Sequence, residues 1–136
     1  EDKESVFDAC DTVKMCLKVF AGMLQGLKAL PQNMLRAAQK GFINATDLAD
    51  YLTKKGLPFR SAYKLSGRLV AYCIENGKVL EELELSVFKQ FSSLFEQDVY
   101  TAINLTTCVE KRTSAGGTSI ASVEKQIALV TEYLNS

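Results

Sequence analysis

The chain has 136 residues, enough for one ordinary domain, and 47% of them are hydrophobic. Sixteen Lys and Arg balance sixteen Asp and Glu, so the formal net charge is zero. That balance, with no basic stripe, argues against a nucleic-acid binder, and it leaves little charge repulsion to oppose association.

The pattern predicts helix almost throughout. Val6, Cys10, Val13, Leu17, Phe20, Leu24 and Leu27 recur at alternating steps of four and three, the seam spacing of a helix packed in a bundle. Phe7, Cys16, Val19, Met23 and Leu30 form a second apolar set beside it. Ala9, Ala21, Gly22, Gly26 and Ala29 let neighbouring backbones come close. A helix from about residue 5 to residue 30 is roughly 40 Å long at ~1.5 Å per residue. A compact chain of this length has a radius of gyration of only about 14 Å. Such a helix needs partners on two sides, and the economical source is other chains or a part of the polypeptide beyond this one. The chain starts at Glu1 rather than Met and reads as a piece of a longer protein. Residues 1–31 are expected to end a central bundle domain, and residues 32–136 to form a C-terminal helical domain.

Pro31 ends the first helix, since proline removes a helical hydrogen bond. A short helix is predicted from Asn33 to Gln39, closed by Gly41. Asn44-Ala45-Thr46-Asp47 offers N-caps for a helix that buries Leu48, Tyr51 and Leu52 and ends at Gly56, with Leu57 as the hydrophobic contact of the cap. Pro58 opens the next helix, whose stripe is Phe59, Ala62, Ser66, Leu69 and Cys73, widened by Tyr63, Val70 and Ile74, up to Gly77. The two helices resemble a helix-turn-helix, but the second is too apolar to read DNA, with only Arg60, Lys64 and Arg68 as cations. Leu80 to Leu83 form a turn in which Glu81 and Glu82 are expected to be solvated. Ser86 is expected to cap a helix carrying Phe88 and Phe91; with Phe95 these are core. Asp98 starts another helix through Val99, Ala102 and Ile103. Ser114 to Thr118 form the clearest loop, and Thr118 or Ser119 caps a last helix with the stripe Ile120, Val123, Ile127, Val130 and Leu134. The fold class is therefore all-α: a long bundle helix followed by a small helical domain.

Chemistry is sparse. There is no histidine, so the commonest acid or base near neutral pH is missing. Cys10, Cys16, Cys73 and Cys108 lie on apolar stretches without close spacing and read as buried, reduced thiols rather than metal ligands. Lys14, Lys18 and Lys28 interrupt the longest apolar run, which argues against a membrane span. Gly116-Gly117-Thr118 precedes a helix but lacks the lysine of a phosphate loop, so it reads as a flexible connector with a cap. Lys3 is a mild misfit at the positive end of the first helix, where acidic groups are favoured; a role toward an anionic ligand would explain it.

Five stretches carry a family likeness. They are Glu1-Asp2-Lys3-Glu4; Ala45-Thr46-Asp47-Leu48-Ala49-Asp50-Tyr51-Leu52 followed by Lys55-Gly56-Leu57-Pro58-Phe59-Arg60; Ser66-Gly67; Leu83 to Leu94; and Gly116-Gly117-Thr118 with Ser122-Val123. In these the chain resembles the C-terminal part of the argininosuccinate lyases, in the fumarase/aspartase superfamily. The resemblance implies an all-helical, cytoplasmic homotetramer of arginine biosynthesis whose long helices form a central bundle. Each active site then draws on three chains and splits argininosuccinate into arginine and fumarate, with no organic cofactor and no metal. It implies that Lys3 binds a substrate carboxylate. The family's catalytic serine, in a Gly-Ser-Ser loop, and its acid/base histidine have no counterpart in this sequence, so this chain alone is expected to be inactive. The alternative is a helical protein–protein interaction module with no catalytic role.

Overall fold

The computed structural model describes residues 2–136; Glu1, the first residue of the family-like N-terminal run, lies outside them. The described residues form eight α-helices and one 3-10 turn: α1 (Glu4–Gln25), α2 (Pro31–Lys40), α3 (Ala45–Lys54), α4 (Phe59–Glu75), the turn Leu80–Glu82, α5 (Leu85–Phe91), α6 (Val99–Ile103), α7 (Leu105–Glu110) and α8 (Ile120–Asn135). No strand occurs among them, as the helical periodicity predicts. The chain divides into two compact units, Glu1–Met34 and Leu35–Ser136.

In the first unit, α1 buries no residue. It is shorter than the pattern suggests, ending at Gln25 rather than at Leu30. Gly22 and Gly26 each weaken a helix interior by about 1 kcal/mol relative to alanine. Pro31 then disfavours helical backbone at Leu30. The chain breaks at Gly26 and restarts with Pro31 as the first residue of α2. Cys10 and Cys16, expected to be buried, are exposed, because every side chain from residue 2 to residue 37 is exposed.

The second unit is built on the α3–α4 corner. Gly56 takes φ +98°, a left-handed conformation that L side chains avoid. The Leu57 N–H then donates to the Leu52 carbonyl at 3.0 Å, closing α3, and Leu57 packs against the core as expected. At the end of α2 it is Phe42, not Gly41, that takes positive φ, at 49°. The face of α4 toward α3 buries Ala62, Ser66, Leu69 and Cys73. Phe59, Tyr63 and Ile74, predicted in the same stripe, are exposed. Ser66 explains its place on an apolar stripe: its hydroxyl donates to the Ala45 carbonyl at 2.6 Å, tying α4 to the first turn of α3.

Phe88 and Phe95 are fully buried with ring centroids 5.0 Å apart, and Tyr51 stacks on Phe95 at 5.9 Å. Phe91 is half-buried and receives Tyr72 edge-on at 5.8 Å. Ser86 lies inside α5 rather than capping it. Its hydroxyl donates to Glu84, and Glu84 takes the capping position with extended backbone. Asp98 does start α6, but α7 was not expected from the pattern. At five and six residues, α6 and α7 are too short to show a full apolar period. Asn104 divides them: its side chain accepts from the Thr107 N–H at 3.1 Å. The predicted stripe of α8 is exposed along its length, from Ile120 to Leu134.

Candidate functional site

Lys3 occupies the position just before α1, with helical backbone and no side-chain capping bond. Its carbonyl accepts from the N–H groups of Val6 and Phe7 at 3.1 and 3.0 Å, so the backbone at Lys3 is fixed by the helix it opens. Its side chain is exposed. Lys3 is the one site residue read from the sequence, so there is no further predicted member for the fold to bring to it.

Two networks of charged groups stand out in the second unit. In the first, the Tyr51 hydroxyl donates to Asp98 at 2.6 Å and accepts from the Glu96 N–H at 3.1 Å. Lys55 pairs with Glu96 and with Asp98, the latter at 3.1 Å. The Tyr51 hydrogen bond, then Lys55, hold the Asp98 carboxyl below its usual range against the opposing effect of burial. Burial and the Asp98 hydrogen bond raise Tyr51. In the second network, Arg112 donates to both oxygens of Asp47, which is 5% exposed, at 3.0 and 2.9 Å, and to the Cys108 carbonyl at 2.9 Å. Asp47 and Arg112 line a cleft of about 490 Å³ with Asp50, Tyr51, Lys54 and Lys111.

The cysteines in this unit are inert. Burial pushes the thiols of Cys73 and Cys108 up to about 11, far from the thiolate form at neutral pH. No group of three or more Cys, Asp or Glu side chains converges to hold a metal ion among the described residues. None of their helices is long and apolar enough to cross a membrane.

Two loops behave differently from the sequence reading. Glu81 is not solvated: its Oε1 accepts from the Asn44 side chain at 3.0 Å, and its Oε2 is buried. The Gly116–Thr118 loop is tied down by backbone hydrogen bonds. The Gly117 N–H donates to the Ser114 carbonyl at 2.8 Å and the Ser119 N–H to the Arg112 carbonyl at 3.2 Å. A Cβ on Gly117 would lie 2.2 Å from the Arg112 carbonyl oxygen. The start of α8 is already occupied: the Ser119 hydroxyl accepts from the Ser122 N–H, and Glu110 accepts from the Ile120 N–H at 3.4 Å. Glu110 and Ser119 thus already take two of the N–H groups that an anion would use there. The Glu110 contact carried no sequence signal, being ten residues from its partner.

Comparison with known proteins places these features. Residues 42–110, about half the chain, match the family model described as argininosuccinate lyase C-terminal. The chain is 54% identical over 136 residues to the argininosuccinate lyase of Acetivibrio thermocellus, covering all of this chain and 30% of that protein. It is 55% identical over 135 residues to that of Symbiobacterium thermophilum, covering 99% of this chain and 29% of that protein. The argininosuccinate lyase of Ruminiclostridium cellulolyticum is 50% identical over 136 residues, again 100% of this chain and 30% of the relative. The chain thus spans about 30% of the length of the curated relatives it matches. The family model reaches neither α1 nor α8, but the matches to whole relatives include both helices. With a family model over half its length and relatives matching from end to end, this chain belongs to the argininosuccinate lyase family.

Proposed function

We propose that this chain works as the C-terminal part of an argininosuccinate lyase, in the cytoplasm, within a homotetramer assembled through α1. The observation that carries the reading is that α1 buries nothing yet lies wholly within the stretch matched to lyases at 50–55% identity. Val6, Val13, Leu17, Phe20 and Leu24 on its seam are 52–63% exposed, a surface suited to other bundle helices.

The reaction cleaves the carbon–nitrogen bond of argininosuccinate. A base removes a proton beside a carboxylate, and the guanidinium nitrogen leaves, giving arginine and fumarate. Negative charge develops on the carboxylate as the proton departs, and cationic groups that meet it lower the barrier. In this reading Lys3 is such a group, presented to a substrate carboxylate from the start of α1. The catalytic serine and the acid/base histidine of the family belong to parts of the enzyme without a counterpart here. The chain alone is therefore expected to release no fumarate from argininosuccinate, as followed by ultraviolet absorbance. In a family-length enzyme carrying this chain, Lys3→Ala is expected to cut kcat/KM at least tenfold and leave the tetramer intact. Unchanged kinetics would remove Lys3 from the site. Turnover by the chain alone would overturn the allocation of the acid and base.

A further inference from the structure

Asn44, just ahead of α3, is fully buried. Its amide directs both protons inward: Nδ2 donates to the Ile103 carbonyl at 2.8 Å and to Glu81 Oε1 at 3.0 Å. One side chain thereby joins the start of α3, the end of α6 and the turn Leu80–Glu82. The remaining polar atom of each side chain, Asn44 Oδ1 and Glu81 Oε2, is buried and receives no hydrogen bond from the described protein. An amide oxygen and a carboxylate oxygen are both acceptors, so neither can satisfy the other.

Buried acceptors cut off from bulk solvent are costly, and protein interiors commonly satisfy them with an ordered water that makes two to four hydrogen bonds. Because Asn44 and Glu81 are already bonded to each other, their free oxygens belong to adjoining groups. A cation is a poorer match, since two free oxygens fall well short of the six or more that hard cations take.

We propose that one water molecule is bound inside the second unit between Asn44 Oδ1 and Glu81 Oε2, donating one O–H to each. It completes the polar joint that holds α3, α6 and the 3-10 turn together.

The test is a crystal structure of the whole chain, at a resolution that shows ordered water, for the wild type and for Glu81→Gln. The wild type is expected to show one density peak within about 2.6–3.2 Å of both oxygens. In Glu81→Gln the new amide can donate directly to Asn44 Oδ1, so the peak is expected to vanish and the melting temperature to rise by a few degrees. In solution, the wild type is expected to show cross-relaxation between long-lived water and the Asn44 side-chain amide protons. An empty gap between the oxygens, a peak with the ligand shell of a cation, or the same peak retained in Glu81→Gln overturns the proposal. So does the absence of long-lived water in the wild type.

Discussion

Arg112 grips Asp47 with two parallel hydrogen bonds, 3.0 and 2.9 Å long, across 65 residues of sequence. The pair is uneven: Asp47 is buried, while the Arg112 side chain is 43% exposed. The carboxylate depends on the guanidinium more than the reverse. Arg112→Ala is expected to lower stability by about 2 kcal/mol, because it leaves a buried carboxylate short of donors. Arg112→Lys should recover only part of that, since an ammonium cannot make the bidentate contact. The midpoint of urea unfolding measures both, with an unchanged slope showing that the effect is on stability.

Acid should act through the same carboxylate and through Asp98. Burial alone would raise Asp47, but hydrogen bonds from Arg112 and Cys108 and the charges of Arg112 and Lys111 outweigh it and hold the group below 3.8. Asp98 is likewise held low, chiefly by Tyr51. A carboxyl depressed in the folded state stabilises fully above its unfolded value, and that contribution is lost as pH falls through the folded value. Stability is therefore expected to drop as pH falls below ~4. Asp47→Asn should flatten that acid limb. Identical acid limbs in Asp47→Asn and the wild type would show that the pair does not couple to protons.

Gly117→Ala is expected to cost about 2 kcal/mol or more, since its Cβ would meet backbone rather than a movable side chain. Gly22→Ala is the contrast. Nothing lies within 4 Å of the added carbon, and alanine favours helix by about 1 kcal/mol. Thermal unfolding of the two variants checks both signs.

Self-association through α1 predicts a solution mass above 15.0 kDa that rises with concentration. Phe20→Asp should return the chain to a single-copy mass while the helical signal of the second unit persists. A wild-type chain at 15.0 kDa over the whole concentration range would end the assembly reading.

Where an element was long and periodic, its sequence was enough to locate it. The α3–α4 corner was legible down to its cap because Gly56, Leu57 and Pro58 each have a narrow conformational role. Phe88 and Phe95 were recognisable as core by spacing and size. The misreadings have physical causes. Phe59, Tyr63 and Ile74 share the apolar stripe of α4, but α3 covers only part of that face. Ser86 looked like a cap because hydroxyls usually cap, yet its hydroxyl turns back to Glu84. Glu81 looked solvated because its partner, Asn44, lies 37 residues away. Lys3 was singled out by family likeness and by its mild misfit at the positive end of α1, since a lone exposed lysine carries no periodic or spacing signal.

The corner from Ala45 to Glu75 places the two most extensively packed helices next to each other along the polypeptide. Closing it requires only a four-residue bend, so little chain entropy is lost before the first apolar contacts form. A topology dominated by such local contacts folds quickly. During synthesis this hairpin can settle soon after it leaves the ribosome, giving the later aromatic residues of α5 and α6 a ready surface to condense upon.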